Sequence, residues 1–296
     1  MTTLHQRLTE ARAQLREAGV PDSEAVVDVG LFARTILGWD RARLITDATA
    51  EVPGALEPTF SQWIARRSRH EPTSYIVGVR EFWGLEFAVS PAVLVPRPET
   101  EMVVEEVLRL AGPRAHIADV GTGSGCIGIS VAHDAPDARI VATDISAEAV
   151  AVARENAARH GVATRMDFHV TSDLRGVDGE FYVIAANPPY VKVSDKGGLS
   201  PVVRYEPEVA IFGGPSGLRD LEGVLDTAAE KLRLHGHLVT EIGFGQEPDV
   251  ELLVAARPAL QIVHVRSDLQ GLPRTLVIQK TAQSAGPSDP PSRMTA

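Results

Sequence analysis

Cysteine is nearly absent. A single residue, Cys126, among 296 excludes an intrachain disulfide and any zinc cluster built from several thiolates. A basic excess is missing too: 29 Lys and Arg stand against 39 Asp and Glu, a formal charge of −10. A sequence-independent nucleic-acid binder would carry the opposite balance. There is no apolar run long enough to cross a bilayer, and the start, Met1-Thr2-Thr3-Leu4-His5, lacks the apolar segment of a signal peptide. A cytoplasmic protein without membrane contact is expected. The nine histidines show no ligand spacing, so no metal is expected. No Ser-His-Asp or paired-carboxylate arrangement stands out. No Gly-Lys-Ser/Thr follows a glycine loop, which argues against a nucleoside triphosphate.

What is present reads as an ordinary globular chain, 44% hydrophobic and 23% charged. Leu4, Leu8, Ala11 and Leu15 recur at helical spacing. A second helix through Val26, Val29, Ala33 and Leu37 is stopped by Gly38. A short helix from Asp40 to Ile45 and another carrying Leu56, Phe60, Trp63 and Ile64 complete a small bundle over residues 1–74. Between Tyr75 and Val95 the period changes to two, with Trp83-Gly84 as the turn, so a β-hairpin linker is expected over 75–98. Acidic residues at Glu99 and Glu101 open a helix, and from His116 strands alternate with helices.

Strands are expected at Ile117–Val120, Arg139–Thr143, Met166–Val170, Phe181–Ala185, Leu238–Ile242, Gln261–Val265 and Thr275–Gln279. A helix is expected from Leu218 to Leu234. The order predicts an α/β domain over 99–281, a mostly parallel sheet with an antiparallel pair at one edge. A disordered tail is expected over 282–296, where glycine and proline cluster.

The chain is organised around Asn187-Pro188-Pro189-Tyr190, at the carboxyl end of an apolar strand. Two prolines end the pairing, and Asn187 is driven towards an extended backbone by the proline after it. The Asn187 side-chain oxygen and the Pro188 carbonyl could each accept one N–H of a planar NH2 group, with Tyr190 stacked on the plane. The same letters also serve as a proline-punctuated turn, so the surroundings decide. Gly121-Thr122-Gly123-Ser124-Gly125, between a strand and a helix, lets backbone approach a ligand. Asp144, ending the next strand, is placed for ribose hydroxyls, and Asp173 for an adenine amine or a loop cap. Cys126 reads as a buried small hydrophobe. Glu206-Pro207-Glu208 and Gly213-Gly214 could form a lid or a solvated loop.

Together these stretches resemble the PrmC/HemK family of protein-(glutamine-N5) methyltransferases. The resemblance runs from about Leu4 to Lys280 and is carried by Glu81-Phe82-Trp83-Gly84-Leu85-Glu86-Phe87, Leu94-Val95-Pro96-Arg97-Pro98-Glu99-Thr100-Glu101, Asp119 to Gly125, Asn187 to Tyr190 and Tyr205-Glu206-Pro207. It implies a seven-stranded, Rossmann-like class I S-adenosylmethionine domain after an N-terminal helical domain. Gly121, Thr122, Gly123, Ser124, Gly125, Asp144, Asp173, Leu174 and Asn187 would hold the cofactor. Asn187, Pro188, Pro189 and Tyr190 would be catalytic and, with Glu206, would hold the glutamine of a release factor's Gly-Gly-Gln loop. Tyr182 departs from the family's Asp, with an effect expected on packing. Leu174 departs from an aromatic found in some members. A monomer is expected. An adenine-N6 nucleic-acid methyltransferase, a ribosomal-protein glutamine methyltransferase and a non-catalytic nucleoside-binding module are the other readings.

Overall fold

The computed structural model describes residues 2–282. The tail expected from 282 onward lies, beyond that first residue, outside the described residues.

The chain begins with α1 (Leu4–Glu17), α2 (Asp22–Leu37), α3 (Arg41–Thr46), α4 (Thr59–Arg67) and α5 (Thr73–Val77). Thr3 caps α1 in a reciprocal box with Gln6. Its buried stripe, Leu4, Leu8, Ala11 and Leu15, packs with Val29, Phe32, Phe60 and Ile64 into one core. The Phe32 and Trp63 rings meet edge to face at 5.3 Å. Arg67 is buried there and donates to Asp28 and Glu24, each at 2.7 Å, tying α4 to α2. That pair has no periodic signature in the sequence.

The hairpin is shorter than its alternation suggests, which corrects the expectation that it starts at Tyr75. Thr73–Val77 is a helical turn ended by Gly78 at φ 87°, and the strands are β1 (Val79–Phe82) and β2 (Leu85–Ala88). Tyr75 and Ile76 are buried side by side, as a helix end allows and a strand does not. Trp83 and Gly84 both take positive φ, 56° and 69°, the backbone of a tight hairpin turn. A tryptophan rarely adopts that conformation. Here the Trp83 N–H donates to Glu101 at 2.8 Å and the indole donates to Asp134 at 2.7 Å.

The remaining elements are α6 (Glu101–Leu110), β3 (His116–Val120), α7 (Cys126–Asp134), β4 (Arg139–Asp144), α8 (Ala147–Arg159), β5 (Met166–Val170), β6 (Phe181–Ala186), α9 (Glu208–Ile211), α10 (Arg219–Lys231), β7 (Leu232–Glu241), α11 (Glu247–Ala255), β8 (Leu260–Ser267) and β9 (Pro273–Lys280). β7 begins six residues before the expected Leu238, because buried Leu232 already pairs with Phe181. The seven-stranded sheet runs β5-β4-β3-β6-β7-β9-β8. β5 through β7 are parallel, and β9 is antiparallel to both its neighbours.

Two apolar layers cover the sheet. One holds Val103, Val107, Ile129 and Ile140, and the other Leu221, Leu225, Leu238 and Val250. The chain order reverses between β3 and β6, and a crevice opens at such a point beyond the strands' carboxyl ends. Val120 is registered against Ala186. The glycine loop and Asn187 therefore leave the sheet side by side.

Candidate active site

The glycines of the loop after β3 do different jobs. Gly121, Gly123 and Gly125 all sit at positive φ, 74°, 55° and 85°. A β-carbon on Gly125 would come within 2.5 Å of the Ile129 side chain, so Gly125 serves packing. A β-carbon on Gly121 or Gly123 would meet nothing within 4 Å. Those two residues border open space, and their bare backbone forms a cradle that side chains would fill.

Bonds to two strand-end carboxylates hold the cradle. Asp119 accepts from the Thr122 hydroxyl at 2.6 Å and from the Gly128 N–H at 3.0 Å. Burial pushes the Asp119 carboxyl up to about 6, with a smaller push from Asp144. Asp144 accepts from the N–H groups of Gly123 and Ser146, both at 2.9 Å, and burial raises its pKa as well. Lone pairs remain on Asp144 for ribose hydroxyls. Among the described residues the buried Ser124 hydroxyl oxygen has no hydrogen-bond partner. Glycine backbone bordering open space, a carboxylate and an orphaned hydroxyl fit a nucleoside cofactor.

Two residues expected beside the adenine also shape the loop after β5. Asp173 is paired with the exposed Arg175 at 2.7 Å and accepts from its N–H at 2.8 Å, which closes the loop and leaves lone pairs on the carboxylate. Leu174 is wholly buried with Val177 and Phe181, and so supports the loop without presenting a surface. The apolar side chain left exposed beside Asp144 is Ile145, at 59%. Cys126 is half-buried, its thiol pushed up to about 12 by burial, which makes it inert.

At the end of β6, Asn187 is half-buried and Pro188 buried. Asn187 Nδ2 donates to Thr100 Oγ1 at 3.0 Å. Among the described residues no donor reaches Asn187 Oδ1 or the Pro188 carbonyl. Asn187 and Pro188 line a cavity of about 210 Å³, together with Leu94, Arg97, Tyr190 and Leu199. The Tyr190 phenol is pushed up to about 12, first by burial and then by the charge of Glu241, so the ring stays neutral.

The stretch is held from behind by residues that sequence reasoning missed. Gln246 donates to the carbonyls of Tyr190 and Gly217, both at 3.1 Å, and accepts from the Gly243 N–H at 2.8 Å. Gly213 and Gly217 let loop 191–217 lie against this backbone. A β-carbon on Gly217 would come within 2.4 Å of the Tyr190 carbonyl oxygen.

Asn156, wholly buried on α8, joins the hairpin to the glycine loop. It exchanges bonds with the Ala88 backbone and donates to the Ser124 carbonyl at 2.8 Å. An asparagine inside an alanine-rich helix was the available signal. Glu206, expected against the substrate, does not line the cavity. Its buried carboxylate pairs with Arg97 at 2.5 Å and accepts from the Val95 N–H at 3.3 Å, latching the loop onto the segment after the hairpin. Among the described residues, no group of three His, Cys, Asp or Glu could hold a metal ion, and no helix is long and apolar enough to cross a membrane.

Residues 6–78 match the PrmC N-terminal domain, and residues 99–198 match the Methyltransferase small domain. A release factor glutamine methyltransferase of Moorella thermoacetica is 41% identical over 283 residues, 92% of this chain and 96% of the relative. That of Bradyrhizobium diazoefficiens is 38% identical over 274 residues, 90% of this chain and 92% of the relative. Among solved structures, the hMettl16 catalytic domain has a TM-score of 0.57 at 15% identity, covering 78% of this chain and 85% of that one. A methyltransferase from Pyrococcus furiosus has a TM-score of 0.51 at 19% identity, covering 67% and 90%. At such identities the solved structures speak for the fold alone.

Fold and cradle define an S-adenosylmethionine-dependent methyltransferase. Within that class, the chain belongs to the PrmC/HemK family, the release factor glutamine methyltransferases.

Proposed function

We propose that this chain methylates the side-chain amide nitrogen (N5) of the glutamine in the Gly-Gly-Gln loop of a peptide chain release factor. Asn187 carries the reading: its NH2 is engaged by Thr100, which leaves its oxygen, with the Pro188 carbonyl, without a protein donor among the described residues, and both residues line a side-chain-sized cavity. A glutamine amide nitrogen is a poor nucleophile, because its lone pair is delocalised into the carbonyl. Two acceptors that take both of its N–H bonds fix the direction of the remaining lobe and favour the positive charge that grows there on attack. Pro188 and Pro189 make the acceptors rigid, and neutral Tyr190 supplies a flat wall. Gly121, Gly123, Ser124 and Asp144 would hold S-adenosylmethionine. When bound, that cofactor supplies a methyl group on a sulfonium, already electrophilic, and leaves as S-adenosylhomocysteine. No residue need remove a proton before attack, since the nitrogen can lose it afterwards.

The acidic balance and the pairing of Arg97 with Glu206 leave little at the cavity to neutralise phosphates, which disfavours a nucleic-acid substrate. The test is mass spectrometry of intact release factor incubated with enzyme and cofactor. One added methyl group on the Gly-Gly-Gln glutamine is expected. Unmodified release factor alongside methylated RNA or ribosomal protein would overturn the proposal.

A further inference from the structure

Asn187 Oδ1 is useful only if the carboxamide keeps that end towards the cavity, and the two ends have nearly the same shape. A buried chain of bonds settles the choice. Glu241 ends β7, beside Asn187 at the tip of β6, since Ala186 is registered against Thr240. Thr100, just before α6, lies between them. Thr100 and Glu241 are each 2% exposed. The Thr100 hydroxyl donates to Glu241 Oε2 at 2.7 Å and accepts from Asn187 Nδ2 at 3.0 Å.

Once Glu241 is ionised its carboxylate can only accept, and a hydroxyl has one hydrogen to give. With that hydrogen on Glu241, Thr100 offers only lone pairs to Asn187. The amide answers with its NH2 group, because its oxygen would face another oxygen with no hydrogen between them. We propose that Glu241, acting through Thr100, is a positioning residue that determines which end of the Asn187 carboxamide meets the substrate. This rests on the reading of Asn187 as an acceptor for the amide nitrogen.

Stability offers no reason for the arrangement. A carboxylate held chiefly by one hydroxyl, beside the Tyr190 phenol, is harder to bury than an apolar side chain of its size. Direction is what the chain of bonds provides.

The test compares kcat and cofactor Kd for Thr100→Val, Thr100→Ser, Glu241→Gln and Asn187→Ala on intact release factor. Thr100→Val removes the hydroxyl and is expected to lower kcat about tenfold or more, with cofactor Kd unchanged within about twofold. Thr100→Ser restores the hydroxyl and is expected to restore kcat. A glutamine at 241 can present either end to Thr100, and a partial loss of kcat is expected. Wild-type kcat in both Thr100→Val and Glu241→Gln, with Asn187→Ala inactive, would overturn the relay and leave the proposed function standing. Full turnover in Asn187→Ala would overturn both. Should Thr100→Val fail to fold, Glu241→Gln decides alone: partial loss supports the relay and wild-type kcat overturns it.

Discussion

The two halves of the site are built on different scales of sequence distance. The cofactor cradle is tied within one run of chain, from β3 to α8: Asp119 reaches Thr122 and Gly128, Asp144 reaches Gly123 and Ser146, and Asn156 reaches Ser124. The amide cradle is tied by strangers. Asn187 rests on Thr100, Thr100 on Glu241, Tyr190 on Gln246, and the covering loop on Val95 and Arg97 through Glu206. The ties of the cofactor cradle can form once β3, α7, β4 and α8 have come together. The other requires the whole sheet, because its knots join the ends of β6 and β7 to the segment before α6. The first half should therefore tolerate damage elsewhere in the fold, and the second should not.

Five measurements would break or sharpen that contrast. Asn187→Ala should reduce turnover by about 10²–10³, the usual cost of losing one preorganised partner of a developing charge, and leave calorimetric cofactor affinity nearly intact. Equal loss of both would dissolve the distinction between the halves. Gly217→Ala places a methyl against the Tyr190 carbonyl at a φ of 74° and should cost about 2–4 kcal/mol in denaturant unfolding. Its kcat should fall further than its cofactor affinity.

Glu241 sharpens the contrast through pH. Burial, aided by Glu99, pushes its carboxyl up to about 7 from 4.5, against the lowering effect of Thr100. Between about pH 4.5 and 7 the folded state thus holds a proton that the unfolded chain has already lost, and the carboxylate that directs Thr100 is present above that window. The proton's contribution to stability is complete below about pH 4.5 and is lost as pH rises through about 7. Glu241→Gln removes that dependence and should raise stability at pH 8 by about 2–3 kcal/mol relative to wild type while lowering kcat. Lower stability at pH 8 would show that the charge is better accommodated than its surroundings suggest.

Gly123→Ala should weaken cofactor binding about tenfold by filling the cradle, with kcat at saturating cofactor nearly unchanged. Asp173→Ala should do least, within about 0.5 kcal/mol in stability and with no change in cofactor affinity, since its partner Arg175 is exposed.

The same difference of scale explains what could be read before folding. Helices, strands and the glycine loop announce themselves by period, by caps and by glycine, all properties of a short window. Asn187 and Pro188 stood out as candidates because two prolines close an apolar strand, and the surrounding stretches, not the four letters, favoured a site over a plain turn. Thr100, Glu241 and Gln246 were not, because nothing nearby distinguishes a buried threonine or glutamate from a surface one. Leu174 and Asp173 show the converse: their position after β5 is local, but the burial of one and the pairing of the other depend on Val177, Phe181 and Arg175. The hairpin's first residues were misread because Tyr75 and Val77 alternate as a strand would, while Gly78 ends a helical turn.

At the end of the sheet far from the crevice, β7 takes five steps, from Leu232 to His237, where β6 takes two, from Phe181 to Val183. His235 turns to φ 64° in that detour, and Arg233 lies over the Tyr182 ring. Surplus length is thus discharged at the base, and the upper rungs, Ile184 with Leu238 through Ala186 with Thr240, keep time with each other. Residues added or deleted around 233–236 would change the slack without changing the phase, and Asn187 and Glu241 would still arrive at the summit abreast.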